Sequence, residues 1–466
     1  TLRMKKLRSA EKMLVLQMSF WGLVAQTCLY AYFWLHVYYF IVNRRLKFYF
    51  RGHILMFAIY FVVLVLVTNL FGGTKVGYLK NGDIIMSNIF SLLMTNIISY
   101  FQISLMANWV VKIWPMVELT FIQIAFAVGW TYLQAALYKK AFPPLHMLLI
   151  HGSRPIENIL YKFGTRKDKY SIDKCIDIAE GDETVKKEVM NGYNAIVLWD
   201  IPAMQRNKLY KFIYSRRLRI YMMPKITDVL VQGSDQLHLF DTPILMTKEY
   251  ALTTGQKIAK RILDLVFAFV LLILASPFML ITAVIIKCYD GGPILYKQVR
   301  CTINRQQFKI LKFRSMRVDA EKDGVARLAQ KNDDRITPVG KFIRKTRIDE
   351  LPQLFNIIKG EMSFIGPRPE RPEIIDQYME EMPEFAFRMR VKAGLAGYAQ
   401  VYGKYNTTPY DKLKLDLTYI ENYSVGLDFK LLLLTMKIVL KPESTEGVDA
   451  SQITAMKQEE KKEDES

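Results

Sequence analysis

Four long apolar stretches fill the first third of the chain, at roughly residues 13–41, 53–72, 84–109 and 114–137. Each is about as long as the roughly 20 residues that an α-helix needs to cross the hydrocarbon core of a membrane. Buried helices of a soluble protein can be equally apolar, but four in succession favour a membrane. The pattern therefore predicts a four-helix transmembrane bundle over residues 1–140.

Residues 141–250 follow a different pattern, in which short apolar runs alternate with helical segments. This alternation predicts a parallel, Rossmann-like α/β unit. The turn after the first predicted strand contains Gly152 but lacks the other glycines of a dinucleotide fingerprint, which favours a structural or regulatory role over bound NAD. The predicted strands are Met147–His151, Ala195–Trp199 and Arg219–Met223, and the predicted helices lie near 154–163 and 203–215.

A fifth apolar run extends from Ile262 to Ile286 and contains Ser276 and Pro277. A plain transmembrane helix would fit its length, but a proline inside a helix removes a backbone hydrogen bond and kinks the chain. A crossing would also place the basic remainder of the chain on the other side of the membrane. We therefore predict a re-entrant helix over residues 260–288, which bends at Ser276 and Pro277 and returns to the same membrane face.

Charge and composition narrow the range of partners. The 466 residues are 51% hydrophobic and yet carry a formal net charge of +20, which suits a membrane protein whose aqueous part handles anions. Lipid headgroups or phosphorylated substrates fit this charge better than nucleic acid, because no basic-aromatic ribbon or zinc-finger spacing is present. The four cysteines form no CxxC pair, which predicts neither a disulfide frame nor a zinc site. All five histidines precede residue 250, so catalysis beyond that point would depend on carboxylates, cations and a metal.

Two adjacent carboxylates, Asp349 and Glu350, lie among several cations, including Arg347 and Arg368. An exposed helix crossed by ion pairs would be the ordinary explanation of such a pair. However, adjacent acids need a cation to relieve their repulsion, and clustered guanidinium groups need an anion. A diphosphate that carries a divalent metal meets both needs. Mg²⁺ suits the site, with Asp349 and Glu350 as the candidate ligands, because it prefers few carboxylates together with phosphate oxygens.

An ordered series of motifs runs through residues 257–440. It comprises Lys260-Arg261 with Asp264, Ser276-Pro277, Gly292 to Gln298, Lys312 to Met316, Asp334 to Thr337, Gly340 to Ile343, Arg347 to Gln353, Gly360 to Pro369, Gly394 to Val401, and Asp416 to Tyr419. This series resembles the catalytic domain of the bacterial sugar transferases, the polyprenyl-phosphate glycosyl-1-phosphate transferases. The N-terminal helices and the α/β unit resemble the larger members of that family. Two positions depart from the pattern: Ser315 stands where threonine is common, and Lys404 where arginine is frequent.

The resemblance implies transfer of a sugar-1-phosphate from a UDP-sugar to polyprenyl phosphate (undecaprenyl phosphate in a bacterium), with release of UMP. It implies that Asp349 is the nucleophile and forms a covalent aspartyl-phosphosugar intermediate. Successive side chains on a helix diverge by about 100°, so Glu350 would instead support the metal or a proton. Direct attack by the lipid phosphate in a ternary complex is one alternative, and a non-catalytic membrane scaffold or sensor of polysaccharide assembly is another.

Further cations are candidates for binding the substrate phosphates. Arg368 is the first of these, because Pro367 and Pro369 restrict its backbone. For each of the others a surface salt bridge is an equal alternative; they are Arg347, Arg344, Lys312, Arg314 and Arg335. Lys297 and Gln298 follow the re-entrant helix and are candidates for contact with the lipid phosphate or the nucleotide.

The predicted fold is therefore a membrane α+β chain. It contains a transmembrane bundle at 1–140, a Rossmann-like α/β domain at 141–250, a catalytic α/β domain at 251–445 and a disordered tail at 446–466. The resemblance implies a multi-pass protein of the bacterial inner (cytoplasmic) membrane, with the catalytic domain on the cytoplasmic face, that initiates a capsule, exopolysaccharide or O-antigen. Charge alone leaves the membrane orientation of the first helix open, because basic residues lie at both of its ends. Arg44, Arg45 and Lys47 follow the first apolar stretch, and other basic residues precede it. A homodimer is compatible with the larger members, and the sequence does not specify the sugar.

Overall fold

The computed structural model describes residues 2–43, 49–317, 335–403 and 407–439. The chain divides into two compact units, Thr1–Met223 and Pro224–Ser466. Several predictions fall outside the described residues: those for the tail at 446–466, for Asp334 and Lys404 in the motifs, and for the basic residues Arg44, Arg45 and Lys47.

Long helices form the N-terminal part of the first unit, close to the predicted apolar stretches. They are α1 (Leu2–Phe33), which continues through a π-helical turn (Trp34–Tyr38) into α2 (Tyr39–Val42), then α3 (Phe50–Phe71), α4 (Asn81–Ala107) and α5 (Trp114–Ala141). In the described part of the chain, five helical segments are long and apolar enough to cross a membrane, four of them here. Leu66, Leu105 and Phe121 are 64%, 79% and 69% exposed, as expected for side chains that face lipid.

Polar side chains connect these helices inside the unit. Gln123 on α5 donates hydrogen bonds to the hydroxyl of Tyr60 on α3 (2.9 Å) and to the carbonyl of Gln26 on α1 (3.1 Å). Tyr60 in turn donates to Asn96 on α4 at 2.8 Å. These contacts join α1, α3, α4 and α5 through buried hydrogen bonds, which are the polar contacts that hold helices together where water is absent.

A four-stranded parallel sheet in the order β2-β1-β3-β4 completes the first unit and confirms the predicted α/β region. Its strands are β1 (Leu145–His151), β2 (Tyr170–Asp177), β3 (Ala195–Trp199) and β4 (Arg219–Met222), with helices α6 (Glu157–Gly164), α7 (Asp182–Val189) and α8 (Ala203–Ser215) and a 3-10 turn (Ile178–Glu180). The sequence did not indicate β2, because Ile176 is its one buried residue and the run is too polar to stand out.

The loops that follow β1 and β3 contact each other directly at the carboxyl edge of the sheet. A Cβ at Gly152 would lie 2.2 Å from the carbonyl oxygen of Asp200, which itself has a left-handed φ of 52°. Arg154 also approaches Asp200, with 3.7 Å between Nε and Oδ1. Ligands of doubly wound sheets bind at this edge, where the strand order reverses. The contact between the loops favours the predicted structural role over a bound dinucleotide.

The second unit begins with α9 (Ile226–Gln232), a β5–β6 hairpin (Asp235–Leu239 and Thr242–Met246) and α10 (Thr254–Asp290). Val229 of α9 is 2% exposed and belongs to the hydrophobic core of this unit. The predicted domain boundary at 250/251 therefore lies inside a compact unit.

The remainder of the second unit surrounds a large apolar core, in which Leu354, Ile357, Phe385, Leu413 and Leu417 are fully buried. Its strands are β7 (Leu295–Cys301) antiparallel to β8 (Gln307–Phe313), and β9 (Ser363–Ile365) parallel to β10 (Gly394–Ala396). Its helices are α11 (Pro338–Lys345), α12 (Gln353–Lys359), α13 (Pro372–Glu381), α14 (Tyr398–Tyr402), α15 (Pro409–Glu421) and α16 (Val425–Val439), with 3-10 segments at Ile303–Arg305, Ile348–Glu350 and Pro383–Arg390.

Helix α10 is continuous across Pro277, and both of its ends are attached to the same domain. Near its start, Lys260 forms a buried ion pair with Asp428 at 2.6 Å. At its end, Asp290 forms a bidentate ion pair with Arg314. A straight helix of 37 residues would be about 55 Å long. Large apolar side chains lie exposed on the segment between the two attachments, and they include Phe269, Ile273, Phe278 and Leu280.

Candidate active site

Asp349 and Glu350 lie in a 3-10 turn, Ile348–Glu350, between α11 and α12. The prediction that they share an α-helix is wrong, because Arg347 adopts a left-handed φ of 59° and separates the turn from α11. A 3-10 turn has three residues per turn, so neighbouring side chains diverge by about 120°. The two carboxylates therefore still point in different directions, which allows them to have different roles.

A close contact fixes α11 beside the 313–316 segment. A Cβ at Gly340 would lie 1.9 Å from the carbonyl oxygen of Ser315, so a larger residue would push the helix away. The hydroxyl of Thr337 accepts a 2.9 Å hydrogen bond from the Gly340 amide and caps the helix. This packing fixes the position from which the chain enters the dyad turn.

Glu350 is held by three cations. Its Oε1 lies 3.1 Å from Lys312 Nζ, 3.0 Å from Arg368 Nη2 and 3.7 Å from Arg347 Nη1. Burial disfavours the charged form, but Lys312, Arg368 and Arg347 together hold the pKa of Glu350 well below its usual range. Glu350 is therefore an ionised carboxylate fixed within a cationic group.

Asp349 lies in a different environment, although it is the adjacent residue. Its side chain is 9% exposed, and Oδ1 is buried with no hydrogen-bond partner among the described residues. Burial, followed by repulsion from Glu350, raises the pKa of Asp349 to about 6, against the opposing pull of Lys312, Arg347 and Arg344. Asp349 thus has a buried carboxylate oxygen that is not bound by any of the described residues, next to several cations.

Of the predicted phosphate-binding residues, the structure brings Arg368, Arg347 and Lys312 together around Glu350, and the charge of Arg344 reaches Asp349. Arg314 lies elsewhere and contacts Asp290 at the end of α10.

Arg314 is 8% exposed, and its guanidinium is engaged at the end of α10. It donates to Asp290 at 2.6 Å and to the Pro293 carbonyl at 2.8 Å, so its charge is already balanced away from the dyad. Arg335 accepts a hydrogen bond from the Arg317 amide at its backbone carbonyl, beside the antiparallel bridge between Met316 and Ile336.

The candidates for the lipid phosphate or nucleotide lie on β7. Lys297 is exposed. Gln298 accepts a 2.6 Å hydrogen bond from Arg300 and donates one of 3.0 Å to the hydroxyl of Tyr296. At the predicted break of the membrane helix, Ser276 donates to the carbonyl of Ile273 at 2.8 Å, while the helix continues through Pro277.

The sequence did not single out a second group of buried charges, next to Arg368. Glu370 contacts Lys412, Arg300 (3.6 Å) and Arg388 (3.8 Å). Burial opposes ionisation of Glu370, but Lys412 and Arg388 lower its pKa to about 2. These residues are far apart along the chain, and no local spacing in the sequence indicates that they meet.

The carboxylates of the dyad provide a limited set of metal ligands. Among the described residues, no group of three or more His, Cys, Asp or Glu side chains could hold a metal ion. Mg²⁺, however, is commonly bound by one or two carboxylates together with substrate phosphate oxygens. The unpaired Oδ1 of Asp349 and the neighbouring Glu350 fit that kind of site, in which most ligands come from the substrate and from water.

Comparison with known proteins gives a consistent result for the second unit. The sequence profile described as Bacterial sugar transferase matches residues 255–442. The chain is 44% identical over 184 residues to the UDP-N-acetylgalactosamine-undecaprenyl-phosphate N-acetylgalactosaminephosphotransferase of Aeromonas hydrophila, covering 39% of this chain and 43% of that protein. It is 32% identical over 254 residues to the UDP-glucose:undecaprenyl-phosphate glucose-1-phosphate transferase of Escherichia coli K12, covering 53% and 54%.

A shorter relative is matched over nearly its whole length. The chain is 38% identical over 200 residues to the uncharacterized sugar transferase EpsL of Bacillus subtilis, covering 42% of this chain and 96% of the relative. The matched region spans only about half the length of the longer relatives. The match over nearly the whole of this relative nevertheless shows the family. The chain belongs to the bacterial sugar transferase family.

Proposed function

We propose that this protein transfers a sugar-1-phosphate from a UDP-sugar to polyprenyl phosphate, with release of UMP. The observation that carries the proposal is the environment of Asp349: a buried carboxylate oxygen without a hydrogen-bond partner in the described part of the chain, beside a neighbour that is held by Lys312 and Arg368. The Aeromonas hydrophila and Escherichia coli relatives are named for transfer from a UDP-sugar to undecaprenyl phosphate, and these names support the same pair of substrates here.

In the first step, an oxygen of Asp349 attacks the sugar-bearing phosphorus of the UDP-sugar. The bond between that phosphorus and the bridging oxygen breaks, and UMP leaves with the oxygen and the bonding electron pair. An acyl-phosphate between Asp349 and the sugar phosphate remains. A carboxylate is a weak nucleophile, but cations that neutralise the phosphate charge reduce the repulsion it meets.

In the second step, an oxygen of the polyprenyl phosphate attacks the same phosphorus. The acyl-phosphate bond breaks, Asp349 recovers its carboxylate, and the lipid carries the sugar on a diphosphate. Neither step needs a net proton transfer, so the lack of histidine beyond residue 250 is no obstacle. The same intermediate distinguishes this route from direct attack by the lipid in a ternary complex.

The cations around the dyad have separate tasks in this scheme. Arg368 carries a fork that can bind two phosphate oxygens, and it is 36% exposed at its side chain, so a ligand can reach it. Lys312 and Arg347 stabilise Glu350 and contribute positive charge near the attacked phosphorus. Arg344 lowers the cost of a charged Asp349.

Mg²⁺ bound with the diphosphate, with Asp349 and Glu350 as its protein ligands, would supply further neutralisation of the phosphate charge. Activity should therefore vanish in excess EDTA and return with MgCl₂. Full UMP release in EDTA would exclude the metal.

The proposed reaction also implies on which side of the membrane the catalytic domain lies. Four crossings by the N-terminal helices return the chain to its starting side, and Arg166 of the α/β unit donates to the carbonyls of Gly77 and Tyr78 in the loop between α3 and α4. We assign that side to the cytoplasm of a bacterial inner membrane, where UDP-sugars are made. The attachment of both ends of α10 to one domain supports a re-entrant helix. In this arrangement the enzyme carries out the first step in the synthesis of a surface polysaccharide. A homodimer stays a prediction, which the mass of the purified protein in solution would test.

The proposal is tested by the release of UMP from a panel of UDP-sugars in the presence of undecaprenyl phosphate. Asp349→Asn should lower the rate by more than about a thousandfold, because it removes the nucleophile while keeping the shape of the side chain. Asp376→Asn is the matched control, since Asp376 is a half-exposed carboxylate of the same unit that pairs with Arg305. Loss of activity in both variants, or full activity in both, would contradict the proposal. The sugar that gives the highest rate identifies the donor.

A further inference from the structure

The segment that carries Arg368 has no regular secondary structure, so contacts from other elements determine where its guanidinium lies. Every backbone polar group that is buried must find a partner. Four carbonyls in succession accept hydrogen bonds from outside the segment: Pro367 from the Gly394 amide (2.9 Å), Arg368 from Arg388 (2.9 Å), Pro369 from Arg300 (3.3 Å) and Glu370 from the Cys301 amide (3.0 Å).

Arg388 is the residue that forms a hydrogen bond with this segment at Arg368. Its Nη2 donates to the carbonyl of Arg368, and its Nη1 lies 3.8 Å from the carboxylate of Glu370. The side chain is 3% exposed, so no substrate can reach the guanidinium. Any effect of Arg388 on the reaction must therefore act through its neighbours.

The guanidinium of Arg388 is itself held rigidly. Its Nε and Nη2 lie 2.9 and 2.8 Å from Oδ2 of Asp416, whose side chain is 1% exposed. The guanidinium also lies 4.9 Å from the ring of Phe385. The guanidinium therefore contacts Asp416, the Arg368 carbonyl and Glu370 in three different directions. The planar fork of arginine can satisfy these contacts together, whereas a lysine would keep the charge but not the fork.

We propose that Arg388 is a positioning residue that fixes the backbone of Arg368, so that the Arg368 guanidinium meets both Glu350 and the diphosphate of the donor. The inference rests on the proposed function, which assigns the donor phosphate to Arg368. In this inference Arg388 contributes to donor binding, although it lies 20 positions from Arg368 in the sequence and does not contact the substrate.

A residue that only stabilises the fold would lower the melting temperature without a specific effect on the donor. A positioning residue has a different signature, because its effect depends on the residue it positions. Once the fork of Arg368 is removed, loosening its backbone should cost little more. Mutations that act through one group are not additive, and a double-mutant cycle measures that coupling.

The test is the dissociation constant of UDP, in MgCl₂, for the full-length protein and for Arg388→Lys, Arg368→Lys and the double variant. Arg390→Lys is the matched control. Arg390 lies two residues away on the same 3-10 segment and also contacts a carboxylate and a carbonyl, Glu421 (3.8 Å) and Glu249 (2.9 Å), but not the Arg368 segment. Melting temperatures of all variants are recorded alongside.

We expect Arg388→Lys to weaken UDP binding about tenfold, the effect of one buried hydrogen bond to a charged group. The double variant should bind within about twofold of Arg368→Lys alone, and Arg390→Lys should bind as the unaltered protein does. Unchanged UDP binding in Arg388→Lys, or two effects that multiply in the double variant, would overturn the inference.

If Arg388→Lys does not fold, Asp416→Asn is judged by the same two criteria, since it leaves Arg388 in place and loosens its orientation. Failure of the unaltered protein to release UMP from any UDP-sugar would refute the proposed function instead. An active unaltered protein with normal donor binding in Arg388→Lys would refute this inference alone.

Discussion

Arg368 donates a 3.0 Å hydrogen bond to Glu350 and thereby joins two segments of the second unit at one carboxylate. The adjacent Asp349 receives no such bond at Oδ1 from the described residues. Two neighbouring acids therefore have opposite electrostatic environments: the pKa of Glu350 is lowered and that of Asp349 is raised. This asymmetry is the physical basis for assigning them different roles.

The pH dependence of donor cleavage should report the ionisation of Asp349. Its pKa is raised to about 6, and the attack needs the carboxylate, so the rate of UMP release should fall about tenfold per pH unit below pH 6. The measurement is single-turnover UMP release without lipid between pH 4.5 and 8.5, which avoids titration of the lipid phosphate. A rate that stays constant down to pH 4.5 would contradict the assignment.

Glu350→Gln should move this acid limb to lower pH. Repulsion from Glu350 is the second cause of the raised pKa of Asp349, and its removal leaves Lys312, Arg347 and Arg344 in place to favour the charged form. The same pH series on the variant checks this, with exposed Glu381→Gln as the control. An unchanged acid limb would mean that burial, without repulsion from Glu350, raises the pKa of Asp349, and would contradict this account.

Substitutions in the dyad should change stability in opposite directions. The folded-state pKa of Asp349 is raised, so its contribution to stability is full below about pH 4 and is lost as the pH rises through about 6. Asp349→Asn should therefore raise the free energy of unfolding by about 1–3 kcal/mol at pH 8 and by little at pH 4.

For Glu350 the sign is reversed, because its folded-state pKa is lowered. Its contribution is present above the unfolded pKa, near 4.3, and is lost as the pH falls further. Glu350→Gln should lower the free energy of unfolding at pH 8, since it leaves Lys312 and Arg368 without a buried partner. Thermal unfolding in detergent at the two pH values measures both variants, and equal signs at pH 8 would contradict the electrostatic account.

The sequence predicted those features that depend on long or local patterns. Apolar length predicted the long apolar helices, and the sequence singled out the Asp349-Glu350 pair and Arg368, which the structure places together. Lys312 was included because its motif is basic, and it does reach Glu350.

What the sequence did not reveal depends on contacts across the fold. Arg314 belongs to the same basic motif as Lys312, yet it forms an ion pair with Asp290. The alternation of side chains along β8 does not predict which acidic group each of the two cations contacts. The left-handed Arg347 that makes the dyad turn 3-10 has no signal either, since arginine rarely adopts that conformation. Arg388 and Asp416 meet only because the 3-10 segment packs against α15.

The proposal that α10 is re-entrant predicts that both of its ends are reached from the cytoplasm. In a cysteine-free background, Lys257→Cys and Lys287→Cys, at exposed positions near the two ends, should resist a membrane-impermeant maleimide in intact cells and react after lysis. Trp109→Cys, in the loop between α4 and α5, should react in intact cells and serves as the control. Labelling of Lys287→Cys from outside would show that α10 crosses the membrane.

The central claim is the covalent bond to Asp349, and the most direct measurement is the intact mass of the protein after incubation with a UDP-sugar in the absence of lipid. The account predicts an added mass equal to one sugar phosphate, located on the peptide that contains Asp349 and discharged by polyprenyl phosphate. Asp349→Asn should gain no mass. An unmodified protein that releases UMP only when both substrates are present would contradict the account and favour direct attack by the lipid.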